Sequence, residues 1–231
     1  MGNTTSHAGD AGFHLVGVGQ ILRALCIFAV AYGLLMALWP LWGGAYVRFY
    51  RAGAALLFES PVSRALVKFS PSTETIDEVK VTFYDRRRSD GYGRLVPLMR
   101  IAHDVRYGDY IYTAFVTALV LATPVPWKRK GWALVWALIV MHVFMAFRLG
   151  ILILHLLRSE QVALLTLSPF WNAVISLGTQ VFTINILPGF VVGILIWFLV
   201  SFRRRDWPQF LMPATTPART ERAHRQARPA R

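Results

Sequence analysis

Arg148, His142 and His155 share one apolar run, Trp132–Leu157, and are the side chains best placed to do chemistry in an apolar setting. A guanidinium keeps its proton at any ordinary pH. Carrying it into hydrocarbon costs at least ~2.5–3.5 kcal/mol, so such a residue faces a bundle interior and marks either a function or a clamp. At the helical turn angle, Arg148 and His155 differ by only ~20° and share a stripe, while His142 points ~120° away. By the helical rise, Arg148 falls within ~5 Å of the middle of the run. Acceptors for it are Asp104 and Asp109 ahead of the preceding run, Glu160 just beyond its own, and carbonyls freed near Pro124 or Pro188; reach favours Asp109 and Glu160. Three readings stay open for this set. Arg148 is a structural clamp on an acidic group; or Arg148 and His155 form an outward-facing site whose guanidinium fork grips a peptide carboxylate or a lipid phosphate; or His142 passes protons.

Other chemistries find little purchase. His142, His155 and the nearest carboxylates lack metal-ligand spacing, and no cofactor motif is present. Ser168 and Ser176 have no base with an orienting partner, and the single cysteine, Cys26, lies in a different run, so no catalytic residue is assigned. Gly91-Tyr92-Gly93 lacks the lysine and helix of a phosphate loop. The net charge of +13 is spread over loops and the tail with no reading motif, which argues against nucleic acid and for flanking charge on an anionic membrane surface. The short myristoylation-like start at Gly2 and the sequon at Asn3 would need opposite sides of a membrane, and neither is adopted. The first apolar stretch is too long for the core of a signal peptide.

The elements that position these residues are membrane helices. The chain has 231 residues, 55% of them hydrophobic, with a mean hydropathy of +0.44. The expected fold is mostly α, a polytopic membrane protein with four transmembrane helices and a small extracytoplasmic α/β insert. The spans are 21–43, 110–127, 132–157 and 184–202, with Trp39, Trp42, Tyr110, Trp127, Trp132 and Trp197 toward their ends as an interfacial belt requires. Lys128, Arg129 and Lys130 in the 128–131 hairpin, and Arg203, Arg204 and Arg205 opening the tail, mark one face as cytoplasmic. That places the 1–20 tail and the basic, disordered 203–231 tail inside, an N-in, C-in arrangement in the inner membrane. The 44–109 loop carries eleven basic residues, but loops longer than ~60 residues cross largely regardless of charge.

Within 44–109, Ala45–Phe58 and Ser60–Phe69 read as two helices lying along the interface, the second capped by Ser60. Val79, Val81 and Phe83 alternate with polar residues as a strand does, 86–91 forms a turn, and Leu95–Ile101 returns as a second strand whose Pro97 suits an edge. Such a two-stranded ribbon is marginal in water and should lean on the membrane or on a partner. Segment 158–183, broken by Pro169, Asn172 and Gly178, is a re-entrant or surface helix on the outer face.

Tyr107-Gly108-Asp109-Tyr110, the stretch Ala118–Pro124, the basic hairpin, Leu177-Gly178-Thr179-Gln180, and Ile186-Leu187-Pro188-Gly189 with Trp197 together resemble the membrane proteins associated with exosortase H, over Val79–Arg205. Exosortases are bacterial membrane transpeptidase-like enzymes that process proteins bearing a C-terminal sorting signal. The resemblance therefore implies a non-enzymatic accessory protein whose partners are membrane lipid and an exosortase-like transpeptidase. The enzymes rely on Cys, Arg and His in membrane segments, and Arg148 is reminiscent of that arginine. No cysteine follows Cys26, so the nucleophile position is empty and no catalytic role carries over. The alternatives are an outer-face enzyme acting on peptide or lipid through Arg148 and the histidines, and a transporter subunit.

Overall fold

Apolar helices that pair their backbone internally need no help from solvent, and four of them form the body of this protein. The computed structural model describes residues 11–60 and 63–201, with the side chains of 11–18 and 184 set aside. The basic 203–231 tail and residues 1–10 of the expected 1–20 tail lie outside the described residues, and 11–20 are the start of a helix rather than a tail. Helices α1 (Ala11–Ala37), α3 (Ile111–Ala122), α4 (Trp127–Arg158) and α6 (Leu187–Ser201) run between two poles. Helix α3 packs against the other three. The buried side chains between α3, α4 and α6 are Tyr112, Val116, Val120, Ala133, Ala137, Met141, Met145 and Ile196.

Among the described residues, two helices are long and apolar enough to cross a membrane, Gly19–Ala37 and Trp127–Arg158. A third is reached only if the bent pair Pro169–Thr183 and Leu187–Ser201, angled by 80°, counts as one span. The mostly helical fold with a small sheet is as expected, but two or at most three candidate spans stand where four transmembrane helices were expected. Helix α3 has 12 residues, ~18 Å of rise, and is extended at its start by a five-residue π-helical turn, Arg106–Tyr110.

The first apolar segment breaks earlier than expected. Pro40 has no N–H to continue α1 and suits a first helical turn. A new helix, α2 (Trp39–Phe58), therefore starts just after Leu38 and absorbs both the end of the predicted first span and the first interfacial helix.

The second predicted interfacial helix, Ser60–Phe69, is corrected: Ala65–Pro71 is a strand, β1. It carries Ala65 and Val67 to the core at a period of two. It pairs antiparallel with β2 (Glu78–Ser89), and β2 pairs antiparallel with β3 (Leu95–Asp104), so the hairpin is a three-stranded sheet in the order β1-β2-β3. The expected alternation of Val79, Val81 and Phe83 holds, and all three are buried. Pro97 lies on edge strand β3, opposite Tyr84 where the register shifts. The turn falls later than 86–91: β2 runs to Ser89, and Asp90 Oδ1 accepts the amides of Tyr92 and Arg94.

The sheet leans on the protein itself. Leu149, Ile153 and Leu157 of α4, with Val162 and Leu164 of the following loop, close over Ala65, Val67, Val81 and Phe83. Helix α4 therefore serves two cores, the bundle through Met145 and the sheet from Leu149 onward.

An ion pair between a buried carboxylate and a partly exposed arginine pins the far end of the sheet. Arg64 donates to Asp85 from Nη2 at 2.8 Å, and the Arg87 amide donates to the same carboxylate at 2.9 Å. The Arg64 guanidinium foremost, then the Arg87 amide, hold the Asp85 carboxyl below its ordinary value, at about 2. A depressed carboxyl stabilises the fold fully above its unfolded value of ~3.9, and that contribution is lost as pH falls through about 2. The melting temperature in mild detergent should therefore fall as pH drops across this window. Asp85→Asn should melt lower at neutral pH and lose most of that slope. An unchanged slope in the variant would exclude Asp85 as its source.

Candidate functional site

The polar residues of the chain converge where the two cores meet. Strand β3 faces Met99, Ile101 and His103 inward at alternate positions, and then the π-helical turn folds the chain back on itself. Asp104 Oδ1 fixes that turn by accepting the Tyr107 amide at 3.0 Å. The result places Asp109 six residues after His103 but beside it, with His103 Nε2 donating to Asp109 Oδ2 at 2.7 Å. Glycine at 108 lets the turn sit close to the His103 ring, which a Cβ there would meet at 3.2 Å and press aside by a few tenths of an ångström. Tyr50 of α2 stacks on the same ring, with centroids 5.7 Å apart, and its hydroxyl lies 3.2 Å from Nε2.

Arg148 completes the cluster from α4. Its Nε donates to the Phe182 carbonyl at 2.7 Å and its Nη1 to the Gly108 carbonyl at 2.8 Å. Nη1 lies 3.9 Å from Asp109 Oδ1, and the guanidinium sits 5.1 Å from the centre of the Tyr112 ring. Phe182 belongs to a second π-helical turn, Thr179–Ile184, that follows α5 (Pro169–Gly178). The arginine thus ties α4 to both π-helical turns, whose altered ladders leave carbonyls facing a neighbour rather than the next helical turn. Arg148 is 9% exposed and Asp109 is 2% exposed, so each charge is removed from solvent and has the other, plus hydrogen bonds, in compensation.

Of the six residues expected to form the site, Arg148 and Asp109 meet. The acceptors that supplement Asp109 are the carbonyls of Gly108 and Phe182 rather than those near Pro124 or Pro188. Asp104 caps the turn without touching Arg148, and Glu160 is exposed, outside the cluster. His155 shares the stripe of Arg148 but none of its bonds, and its Nδ1 is buried with no partner among the described residues. His142 donates from Nδ1 to the Leu138 carbonyl at 2.8 Å, which leaves Nε2 as the acceptor facing the Tyr46 hydroxyl 3.5 Å away. His142 also lines an apolar cleft of about 590 Å³ between α2 and α4, bounded by Phe49, Gly53, Leu57, Ile139 and Val143.

His103 and Tyr50 belong to the cluster without having been singled out from sequence. The available signal was the alternation that turns His103 inward with Met99 and Ile101, next to a Gly-Asp step. Arg148 is also not at mid-bundle. It lies ~31 Å along a helix of ~48 Å, level with the start of α3, because the last third of the apolar run faces the sheet. No group of three or more potential metal ligands occurs among the described residues.

A helical bundle with apolar exteriors, carrying a small sheet on the extended end of one helix and a satisfied ionic cluster at the junction, defines a membrane protein with an attached folded cap. Residues 20–204 match the family of the exosortase H-associated membrane protein, and the chain belongs to that family. The match begins well before Val79, where the resemblance noted in the sequence starts, and takes in most of α1, all of α2 and the whole sheet. No curated protein and no solved structure matches the chain.

Proposed function

We propose that this chain is a non-enzymatic accessory protein of an exosortase-type sorting and processing system, acting by contact with the transpeptidase in the inner membrane. The observation that carries the reading is the closure of the junction cluster. The arginine and the carboxylate spend their hydrogen bonds on protein groups, and no serine, cysteine or threonine stands among the residues they touch. Cys26 lies on α1 and is exposed. An arrangement whose guanidinium is spent on two backbone carbonyls and whose carboxylate is held by a histidine and that guanidinium is suited to holding a shape, and this supports the accessory reading. Arg148, Asp109 and Asp104 are then the frame of the contact face, while His142, His155 and Glu160 lie on surfaces that a partner or lipid reaches.

In this reading α1, α3, α4 and α6 are the four membrane segments, the two short ones shielded by the long ones. The sheet and α5 lie outside, and both termini lie inside, next to Lys128, Arg129 and Lys130. Purification from a mild detergent should recover exosortase H with this chain, and a lone monomer under cross-linking would overturn the proposal.

The enzyme reading keeps one favourable observation, the His103–Asp109 pair beside Tyr50. Replacing Arg148 separates the two readings when assembly and sorting are measured apart. A helper loses the complex, whereas an enzyme keeps the complex and loses turnover.

A further inference from the structure

We infer that the pole opposite the sheet holds a phosphate-binding site at the start of α4, built for the headgroup of an anionic phospholipid or for a free phosphate. Helix α4 is 32 residues long, begins after Pro126 without a side-chain cap, and has no acidic residue in its first turn. The amides of Trp127 and Lys128 have no acceptor within the helix, and the positive end of its dipole is concentrated there. Such an end attracts anions.

Three further observations make this a built site rather than a bare helix terminus. A cavity of about 480 Å³ opens against it, lined by Lys128, Arg129, Trp132, Trp136, Leu199 and Ser201. Ser201 is 4% exposed, and its Oγ has no hydrogen-bond partner among the described residues although it lines this cavity. A buried hydroxyl without a partner is costly, and an acceptor oxygen delivered into the cavity would satisfy it. Lys130 does not line the cavity; its Nζ donates to the Leu121 carbonyl at 2.7 Å. Lys128 and Arg129 are the pair that lines the cavity, between two indoles of the kind that settle at headgroup depth. The chemistry is that of a phosphate group met by amides, an ammonium, a guanidinium and one hydroxyl.

The test uses the full-length protein, delipidated in detergent and offered phosphatidylglycerol or phosphatidylcholine, with retained lipid counted by native mass spectrometry. Phosphatidylglycerol should be retained roughly tenfold over phosphatidylcholine, and Lys128→Gln with Arg129→Gln should remove that preference. Ser201→Ala, which deletes the hydroxyl and adds no atoms, should also weaken retention while leaving helicity and elution unchanged. The charge-matched pair Arg87→Gln and Arg88→Gln, on the exposed end of β2, should leave it intact. Inorganic phosphate in a parallel arm identifies the source. If phosphate alone raises the melting temperature and the lipid preference is absent, the site stands and its ligand is a free anion. Equal retention of both lipids with no effect of phosphate on the unaltered protein would overturn the site. So would an equal loss of preference in the β2 control pair. Neither result would bear on the accessory role.

Discussion

Arg148→Met should lower stability by ~3–5 kcal/mol, the range found when one member of a buried ion pair is deleted. The methionine fills much of the volume, so the loss is electrostatic. Asp109 keeps a negative charge in a site with 2% exposure, and the carbonyls of Gly108 and Phe182 lose their donors together. The check is thermal unfolding in mild detergent followed by tryptophan fluorescence. The double variant Arg148→Met with Asp109→Asn should recover part of the loss, because it removes the stranded charge, whereas Arg148→Lys should recover little. Lysine cannot reach two carbonyls from one planar fork. If Arg148→Met melts with the unaltered protein, the guanidinium is solvated and the clamp does not exist.

Gly189→Ala should be the most damaging small substitution in the bundle, costing ~1–3 kcal/mol or more. A Cβ at this position on α6 would enter the Tyr112 ring. That ring has nowhere to go. It is 1% exposed, its hydroxyl donates to the Ile186 carbonyl at 3.1 Å, it meets the edge of Phe190 at 5.2 Å, and it supplies the face over which Arg148 lies. The variant should therefore behave as a weaker Arg148 variant as well as an overpacked one. Gly131→Ala is the matched control. It adds a methyl group to the exposed first turns of α4, where nothing lies within 4 Å, and should be neutral or mildly stabilising. Equal melting of the two alanine variants would mean that Tyr112 is free to move.

What the sequence reveals here depends on whether a residue's partners are local. The alternation of Val79, Val81 and Phe83 is local and gives the strand. The apolar run of α4 is local and gives a long helix. The pairing of Arg148 with Asp109 is reachable by length alone, since the two runs that carry them must pack together. His103 needs tertiary information. Its role depends on a π-helical turn that no periodicity announces, and a lone histidine in a strand reads as ordinary. Helix α2 and β1 differ from expectation for related reasons. Pro40 breaks an apolar run that hydropathy alone reads as continuous, and Ala65–Phe69 is too short for its period to separate strand from helix. The difference between the place of Arg148 in the apolar run, near its middle, and its place in the bundle, near one end, has the clearest cause. Leu149, Ile153 and Leu157 are apolar because they face the sheet, and hydropathy scores burial against protein and burial against lipid alike.

The two cores on α4 have a mechanical consequence. The last bundle residue, Met145, and the first sheet residue, Leu149, are one helical turn apart with no break between them. The sheet is therefore mounted on a rod without a joint. Its height and compass bearing relative to the bundle are set by residue count, and one inserted residue near 146 would swing it by ~100° and lift it by ~1.5 Å. Anything that grips the sheet grips the bundle at a fixed angle, and a twist applied at one end arrives at the other.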